Sequence, residues 1–446
     1  MQRRSFLQKS TLGAASITAS VALGKLAVAR QVAPSERVRV GFVGAGGRAA
    51  NLIDCFAAQP DVEVVGLAEI DPSRVPNAVR LIEKHKGKVP AVHVDFRHLI
   101  DDPSIDILVV GTPDHWHAIP TILACQAGKD VYVEKPDGHN LLEGQRMVAA
   151  MRKHQRIVQM GTQTRSDPGF LEAMEYLRSG KLGQVLFAKS WESTLQSSIG
   201  RPADSEPPPG VDYDLWLGPA PKRQFNPRRF HSNWRWFFDY GTGDLGNDGV
   251  HRIDNARYAL AMVREARGEP PLGLPTKISA MGGKWYFDDM QEWPDTLQAT
   301  YEYPATDGSP GLVQTYEMRV WTPYNYQSEG EGVALYGDQG YIVIGTRRWR
   351  AYAHKNELVA EGVGAIDTTP HVRNFLDSVK SRKRPNADLE TVGHPASVMC
   401  HAANVAWRLG RQLQFDSSTE TFVNDDEANA LRTRTVYRKP WTLPEV

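Results

Sequence analysis

The segment Gly44-Ala45-Gly46-Gly47-Arg48-Ala49 has the residue types and spacing needed to hold a pyrophosphate. It reads G-x-G-x-x-A. Gly44 permits a tight turn, Gly46 lets backbone N–H groups approach the phosphates, and Ala49 keeps the following helix close to the preceding strand. Glu69 ends the next apolar run, where an acidic side chain accepts hydrogen bonds from an adenosine ribose and repels a 2′-phosphate. NAD is therefore favoured, with NADP left open because Arg48 or Arg74 could meet a phosphate and Asp71 is an alternative acceptor. Three further groups of chemistry-bearing residues follow: Gly111-Thr112-Pro113-Asp114-His115-Trp116-His117, Glu134-Lys135-Pro136, and Gly161-Thr162-Gln163-Thr164-Arg165.

Each of these groups stands at the end of an apolar run. Residues 37–43 alternate and then run apolar into the glycines, and Leu52, Ile53, Phe56 and Ala57 follow at helical spacing, so phosphate would meet a helix N-terminus. Strands are predicted over 62–68, 105–110, 131–133 and 156–160, and helices over 119–127 and 141–154. Repeated βα units imply a doubly wound parallel sheet, whose ligands gather at the C-terminal strand ends. The domain organisation predicted is an export leader (1–29), a linker (30–36), an NAD(P)-binding Rossmann domain (37–160) and a substrate and oligomerisation domain (161–446).

With Glu134-Lys135-Pro136 in place, the chain resembles the Gfo/Idh/MocA oxidoreductases. The glycine turn, Thr112-Pro113 followed by His117, and a Gly-rich segment ending in His251-Arg252-Ile253-Asp254 occur in the same order. The resemblance implies an α/β protein: a Rossmann domain followed by a C-terminal α/β domain with a large, mostly antiparallel open sheet, the nicotinamide between them. It makes Lys135 the catalytic residue, since a partly desolvated lysine beside a cationic nicotinamide can act as base or proton relay. Glu134 would orient Lys135 or touch nucleotide; Pro136 and Gln163 join the nucleotide contacts, and His115 and His117 stand near the nicotinamide ribose rather than on a metal. No metal is expected. His251 matches a family histidine, but Asn247 stands where the family has an Asp and Asp248 is one step off. Three outcomes stay open: His251 works with Lys135 alone, Asp248 substitutes, or the reaction differs from simple dehydrogenation. Asp254, one helical turn on, could hold the His251 tautomer.

Beyond residue 184 the pattern becomes strand-like, over 185–191, 277–282, 296–303, 312–321, 333–336 and 341–344. The excursion 201–240 is long and too aromatic for disorder. Trp234, Arg235, Trp236 and Tyr213 are candidates for a sugar pocket or lid, with Arg165 and Asp254 as further polar contacts, though the rings could equally pack the loop down. Helices are expected near 371–380 and 396–409, with the Pro-containing tail running over the surface.

Composition excludes several classes. Lys+Arg and Asp+Glu are 52 each, which argues against nucleic acid as a partner. The three cysteines, Cys55, Cys125 and Cys400, are widely spaced and suit buried helical positions rather than disulfides or zinc. Arg3-Arg4-Ser5-Phe6-Leu7, a weak apolar run and Ala27-Val28-Ala29 resemble a twin-arginine export signal, which implies a periplasmic protein without a lasting membrane anchor. Nicotinamide nucleotide is scarce outside the cytoplasm, so a tightly bound, internally recycled cofactor is expected. The functions predicted are an oxidoreductase acting on a sugar, polyol or sugar derivative or, alternatively, a glycoside hydrolase working by transient oxidation and elimination. A non-catalytic carbohydrate binder is a third class. The resemblance implies a homo-oligomer, with a dimer or tetramer expected.

Overall fold

The computed structural model describes residues 37–86 and 88–446; the leader and linker read over 1–36 lie outside them. The first domain runs β1 (Val38–Val43), α1 (Gly47–Ala57), β2 (Val62–Ala68), α2 (Val75–Lys86), β3 (Ala91–His93), α3 (Arg97–Asp101), β4 (Ile107–Val110), α4 (Ala118–Gln126), β5 (Asp130–Val133), α5 (Leu141–His154) and β6 (Val158–Met160). Its six strands are all parallel, in the order β3-β2-β1-β4-β5-β6. Buried on both faces, β4 and residues 131–133 of β5 are apolar without alternation. One face packs Leu108, Val110, Val131 and Val133 against Ile119, Ile122 and Met147 of α4 and α5. The other packs Val40, Phe42, Ile107 and Val109 against Leu52, Ile53 and Phe56 of α1. Asn140 starts α5 by accepting from the Glu143 N–H (3.1 Å), while Glu143 accepts from the His139 N–H (2.8 Å).

The strand order reverses between β1 and β4, and a crevice opens there at the C-terminal strand ends. The second domain closes it. After α6 (Pro168–Arg178) come β7 (Val185–Ser193), α7 (Tyr213–Leu217), α8 (Val250–Ala266), β8 (Lys277–Gly283), β9 (Thr296–Tyr303), β10 (Leu312–Arg319), β11 (Glu331–Gly337), β12 (Tyr341–Gly345), β13 (Arg348–Tyr352) and β14 (Leu358–Val363). Next are α9 (Thr369–Ser381), α10 (His394–Leu409), β15 (Leu413–Asp416) and β16 (Thr421–Phe422). The ten strands order as β14-β13-β12-β11-β7-β10-β9-β8-β15-β16, and only β7 and β10 pair in parallel. On β9 the alternation is plain: Leu297, Ala299, Tyr301 and Tyr303 are buried in the core shared with α8 and α10.

The α/β class and both sheets are as the sequence predicts; β3 and β13–β16 are additions. Two features correct the expected organisation. Helix α9 leaves its own sheet to put Val372, Phe375 and Leu376 into the Rossmann core. The tail is anchored, not merely superficial: Trp441, 8% exposed, packs on Phe96 and Trp116 of the first domain. Cys55, Cys125 and Cys400 sit on α1, α4 and α10. Among the described residues no helix is long and apolar enough to cross a membrane.

Candidate active site

A cleft of about 610 Å³ lies where the two domains meet. Its floor is the glycine turn. Gly44 sits at φ +92°, and a Cβ there would stand 3.1 Å from the Gly111 carbonyl oxygen, so only glycine joins β1 to α1 this closely against β4. No side chain caps α1, which leaves the N–H groups and positive end of that helix beside the cleft-lining Gly46 and Gly47. Glu69 is buried and accepts from the Ala45 N–H (2.7 Å) and the Asp71 N–H (2.9 Å). Its carboxyl therefore holds the turn in shape, and burial raises its pKa against the pull of those two bonds. The Arg74 guanidinium lies over Gly46, and Asp71 accepts from Ser73 N–H and pairs with His231 (2.8 Å). These residues fit a dinucleotide: a glycine cradle, a helix end free to meet phosphate, and an acid with an arginine at the adenosine end.

Deeper in, Arg48 on α1 pairs with Glu134 at the end of β5 (2.9 Å). Burial opposes the Glu134 charge, but Arg48 and then Lys135 outweigh it and hold the carboxyl below its ordinary range. Lys135 crosses to the second domain. Its Nζ donates to the Asn247 carbonyl oxygen (2.7 Å) and to Asn247 Oδ1 (2.9 Å). An ammonium has three donors, so one remains for the cleft that Lys135 lines. The Asn247 amide is turned by its other end: Nδ2 donates to Asp244 Oδ1 (3.2 Å) and Asp248 Oδ2 (3.1 Å).

Behind Asn247, Glu192, Asp244 and Asp248 bring one carboxylate oxygen each within 4.8 Å of one another. Burial, then Asp244 and Asp248, drives Glu192 well above the usual carboxylate range, and burial, then Asp248, raises Asp244. A trio at that spacing is able to hold a cation, and without one the crowding favours the protonated forms of Glu192 and Asp244. His251 at the start of α8 also lines the cleft; burial first, then Lys135, pushes its pKa well down, so it is neutral. Its Nδ1 has no hydrogen-bond partner among the described residues.

The cleft gathers Gly44, Gly46, Gly47, Arg48, Glu69, Arg74, Thr112, Pro113, Glu134, Lys135, Gln163, Trp234, Arg235, Asn247, Asp248 and His251 from the residues singled out by sequence. Others lie elsewhere. Asp254 does not hold His251: it is fully buried in a two-pronged pair with Arg165 (2.7 and 2.8 Å), so neither is free to bind a sugar. Trp236 is buried in the core beneath Arg235, while Trp234, two residues earlier on the short turn 233–236, is partly buried and lines the cleft. Tyr213 stacks on Trp216, which lines the cleft in its place. The His115 ring nitrogens lie against the carbonyls of Trp216 (2.8 Å) and Tyr240 (3.3 Å), and those of His117 against the carbonyls of Pro136 (2.6 Å) and Thr112 (2.9 Å). Both are buried braces behind the wall rather than groups facing a ribose. Ala45 and Pro136 act through their backbones.

Sequence reading missed Glu192, Trp116 as a wall residue, and the reach of the excursion 201–240. That segment crosses to the first domain through the Asp212 N–H to Ile70 carbonyl bond (3.1 Å) and the His231–Asp71 pair. Burial, then Arg74, lowers the His231 pKa to about 4, so the ring is neutral and donates to Asp71. A Pro- and aromatic-rich loop signals a lid; its landing point leaves no local mark.

A family model described as "Oxidoreductase family, NAD-binding Rossmann fold" matches residues 38–162, and its companion, "Oxidoreductase family, C-terminal alpha/beta domain", matches 193–272 and 355–443. Among curated proteins the chain is 28% identical over 210 residues to an alpha-N-acetylgalactosaminidase of Shewanella oneidensis, covering 43% of this chain and 45% of that protein. The chain thus spans less than half the length of these curated relatives. Among solved structures, the aldose-aldose oxidoreductase from Caulobacter crescentus complexed with glycerol superposes with a TM-score of 0.63 at 18% identity, covering 85% of this chain and all of that one. A levoglucosan dehydrogenase in complex with NADH gives 0.63 at 17% identity, covering 85% and 99%. At those identities the likeness is one of fold.

Proposed function

The chain belongs to the Gfo/Idh/MocA oxidoreductases, and from that premise we propose that it oxidises or reduces a carbinol carbon of a sugar, polyol or sugar derivative. The observation that carries the reading is Lys135, its amine held by Asn247 at the wall of a cleft floored by the glycine turn. NAD, when bound, supplies the hydride acceptor or donor. The remaining work falls to the chain. Gly44, Gly46 and the start of α1 seat the phosphates, and Glu69 with Arg74 brackets the adenosine ribose. As the neutral amine, with two N–H groups on Asn247 and its lone pair toward the cleft, Lys135 takes the proton from the hydroxyl whose carbon is oxidised; as the ammonium it returns that proton in reduction. His251, neutral and with Nδ1 uncommitted, accepts a hydrogen bond from a second hydroxyl and fixes which carbon faces the ring. Trp234 and Trp216 offer flat apolar walls for a sugar face, and Arg235 a donor for its hydroxyls.

A second reading, glycoside cleavage by transient oxidation, elimination and re-reduction, is favoured by one observation. Asn247 stands where a relay acid would, so the proton on Lys135 has no carboxylate exit at that position and is poised to return to the same substrate. The similarity to a glycosidase over part of the chain points the same way. We read the protein as exported with its nucleotide bound, from the twin-arginine-like leader.

The test is purification without added nucleotide, denaturation, and mass identification of what is released. NAD(H) near one per chain is expected, followed by a change in nicotinamide absorbance on adding free sugars. Release of a chromogenic aglycone with no net NADH would select the second reading. Absence of any bound or bindable nucleotide would end both.

A further inference from the structure

A second cavity, of about 450 Å³, opens on the far side of residues 241–247 and shares no lining residue with the cleft. Its volume is in the range of small-molecule sites. Two helices and the C-terminal segment build it: His139, Asn140 and Leu141 at the start of α5, His401, Asn404, Val405 and Arg408 along α10, and residues 431–436.

Its wall carries buried polar atoms with no hydrogen-bond partner among the described residues: His139 Nδ1, Asn404 Oδ1, Thr433 Oγ1 and Arg434 Nη2. Asn404 is 5% exposed, and the Arg434 side chain 6%. Polar atoms are rarely left so, because each unmade bond costs about 1–3 kcal/mol. Their chemistry is mixed. His139 Nε2 bonds to the Phe238 carbonyl (2.9 Å), so Nε2 carries the proton and Nδ1 is an acceptor. Asn404 spends Nδ2 on the Thr242 carbonyl (2.8 Å), which leaves Oδ1 as an acceptor. Arg434 spends two nitrogens on Glu143 (3.4 Å) and the Asp239 carbonyl (2.8 Å), which leaves Nη2 as a donor. The Thr433 hydroxyl does both. Phe238 and Trp293, edge to face at 4.6 Å, supply an aromatic wall, and Arg408 lies over Phe238.

A hydroxyl donates and accepts, so a ring bearing several of them satisfies acceptors and donors together while its C–H face meets the aromatics. A phosphate or carboxylate offers acceptors only and would set lone pairs against His139 Nδ1 and Asn404 Oδ1. We propose that this cavity is a second binding site, for a neutral hydroxyl-rich ring such as a monosaccharide or cyclitol, separate from the cleft.

The test titrates the holoprotein with D-glucose, N-acetyl-D-galactosamine and myo-inositol, counting bound ligand per chain, and locates the ligand in soaked crystals. Two variants are compared with wild type: Val436→Trp, which fills the mouth from a position 67% exposed, and Thr433→Val, which removes one hydroxyl. Wild type is expected to bind one more ring per chain than Val436→Trp for at least one probe, with density between Trp293 and Asn404. Thr433→Val is expected to weaken that ring about tenfold, with nucleotide content unchanged in both variants. An equal count in wild type and Val436→Trp overturns the proposal, as does a cavity holding only ordered water. Inorganic phosphate binding there in preference to every sugar overturns it too.

Discussion

The Lys135 amine stands 2.9 Å from Asn247 Oδ1 and 2.7 Å from the Asn247 carbonyl oxygen, so a residue of one domain is aimed by a neutral acceptor of the other. The Asn247 amide is itself oriented by Asp244 and Asp248. The arrangement positions Lys135 without adding a charge next to it. Under the proposed chemistry, Lys135→Met is expected to lower kcat by about a hundred- to ten-thousand-fold, the usual worth of a general base, while copurified nucleotide stays near wild type. Asn247→Asp places a carboxylate against the amine and favours its charged form, so the pH at which activity rises is expected to move upward. An unshifted profile in Asn247→Asp would remove Lys135 from the role of base.

Arg48 and Glu134 tie α1 to the end of β5 across the cleft floor. Glu134 is buried while Arg48 keeps 32% of its side-chain surface, so solvent screens the pair in part. Arg48→Met leaves a buried carboxylate with Lys135 as its remaining cation, and a loss of about 1–3 kcal/mol is expected after discounting for that exposure. Glu134→Gln in the same background is expected to recover much of it. Chemical denaturation of the two single variants and the double variant gives the coupling directly, and a purely additive cycle would contradict it.

His394 begins α10 with Nδ1 on Asp137 (2.6 Å) and Nε2 on Glu420 (2.9 Å). Burial and the helix N-terminus oppose a cation there; Asp137 and Glu420 overcome both and raise its pKa to about 10. A pKa raised on folding contributes stability fully below the ordinary value of 6.5 and loses it as the pH rises through about 10. Asp137, held below its ordinary range, contributes above that range and loses its share in acid. The thermal midpoint is therefore expected to fall steadily between about pH 7 and about pH 10. His394→Gln should be less stable at neutral pH and show a flatter alkaline limb.

The two sheets and the glycine turn were legible because their signals are local: period-two burial on β9, unbroken apolar runs over β4 and residues 131–133, a fixed glycine spacing at Gly44 and Gly46. The short edge strand β3 was not, since Ala91 and Val92 are exposed and carry no burial pattern. Within the site, residues on the strand ends were found and their partners were not. Arg165 and Asp254 are 89 positions apart, and nothing near either shows that each consumes the other. Glu192 gave no sign either, because a glutamate on a strand reads as solvent-facing until Asp244 and Asp248 are known to stand beside it. Trp234 and Trp236 have the same composition and neighbourhood; the turn that separates them decides which one meets the cleft.

Trp441 carries the last argument, because the tail that looked superficial braces the cleft wall. Its ring packs edge-on to Trp116 at 4.9 Å and against Phe96 at 5.9 Å, with the Arg97 guanidinium 4.7 Å from its centre. Trp116 in turn donates to the Leu215 and Trp216 carbonyls and lines the cleft. Trp441→Ala removes the outer layer of that stack and is expected to cost about 3–5 kcal/mol, as truncation of a buried aromatic does. Because Phe96, Trp116, Leu215 and Trp216 all line the cleft, the same change should raise the rate at which bound nucleotide is lost. Trp441→Phe, which keeps a ring in the stack, should restore most of both. If Trp441→Ala lowers the thermal midpoint while nucleotide retention stays at the wild-type level, the tail supports the fold alone and the wall does not depend on it.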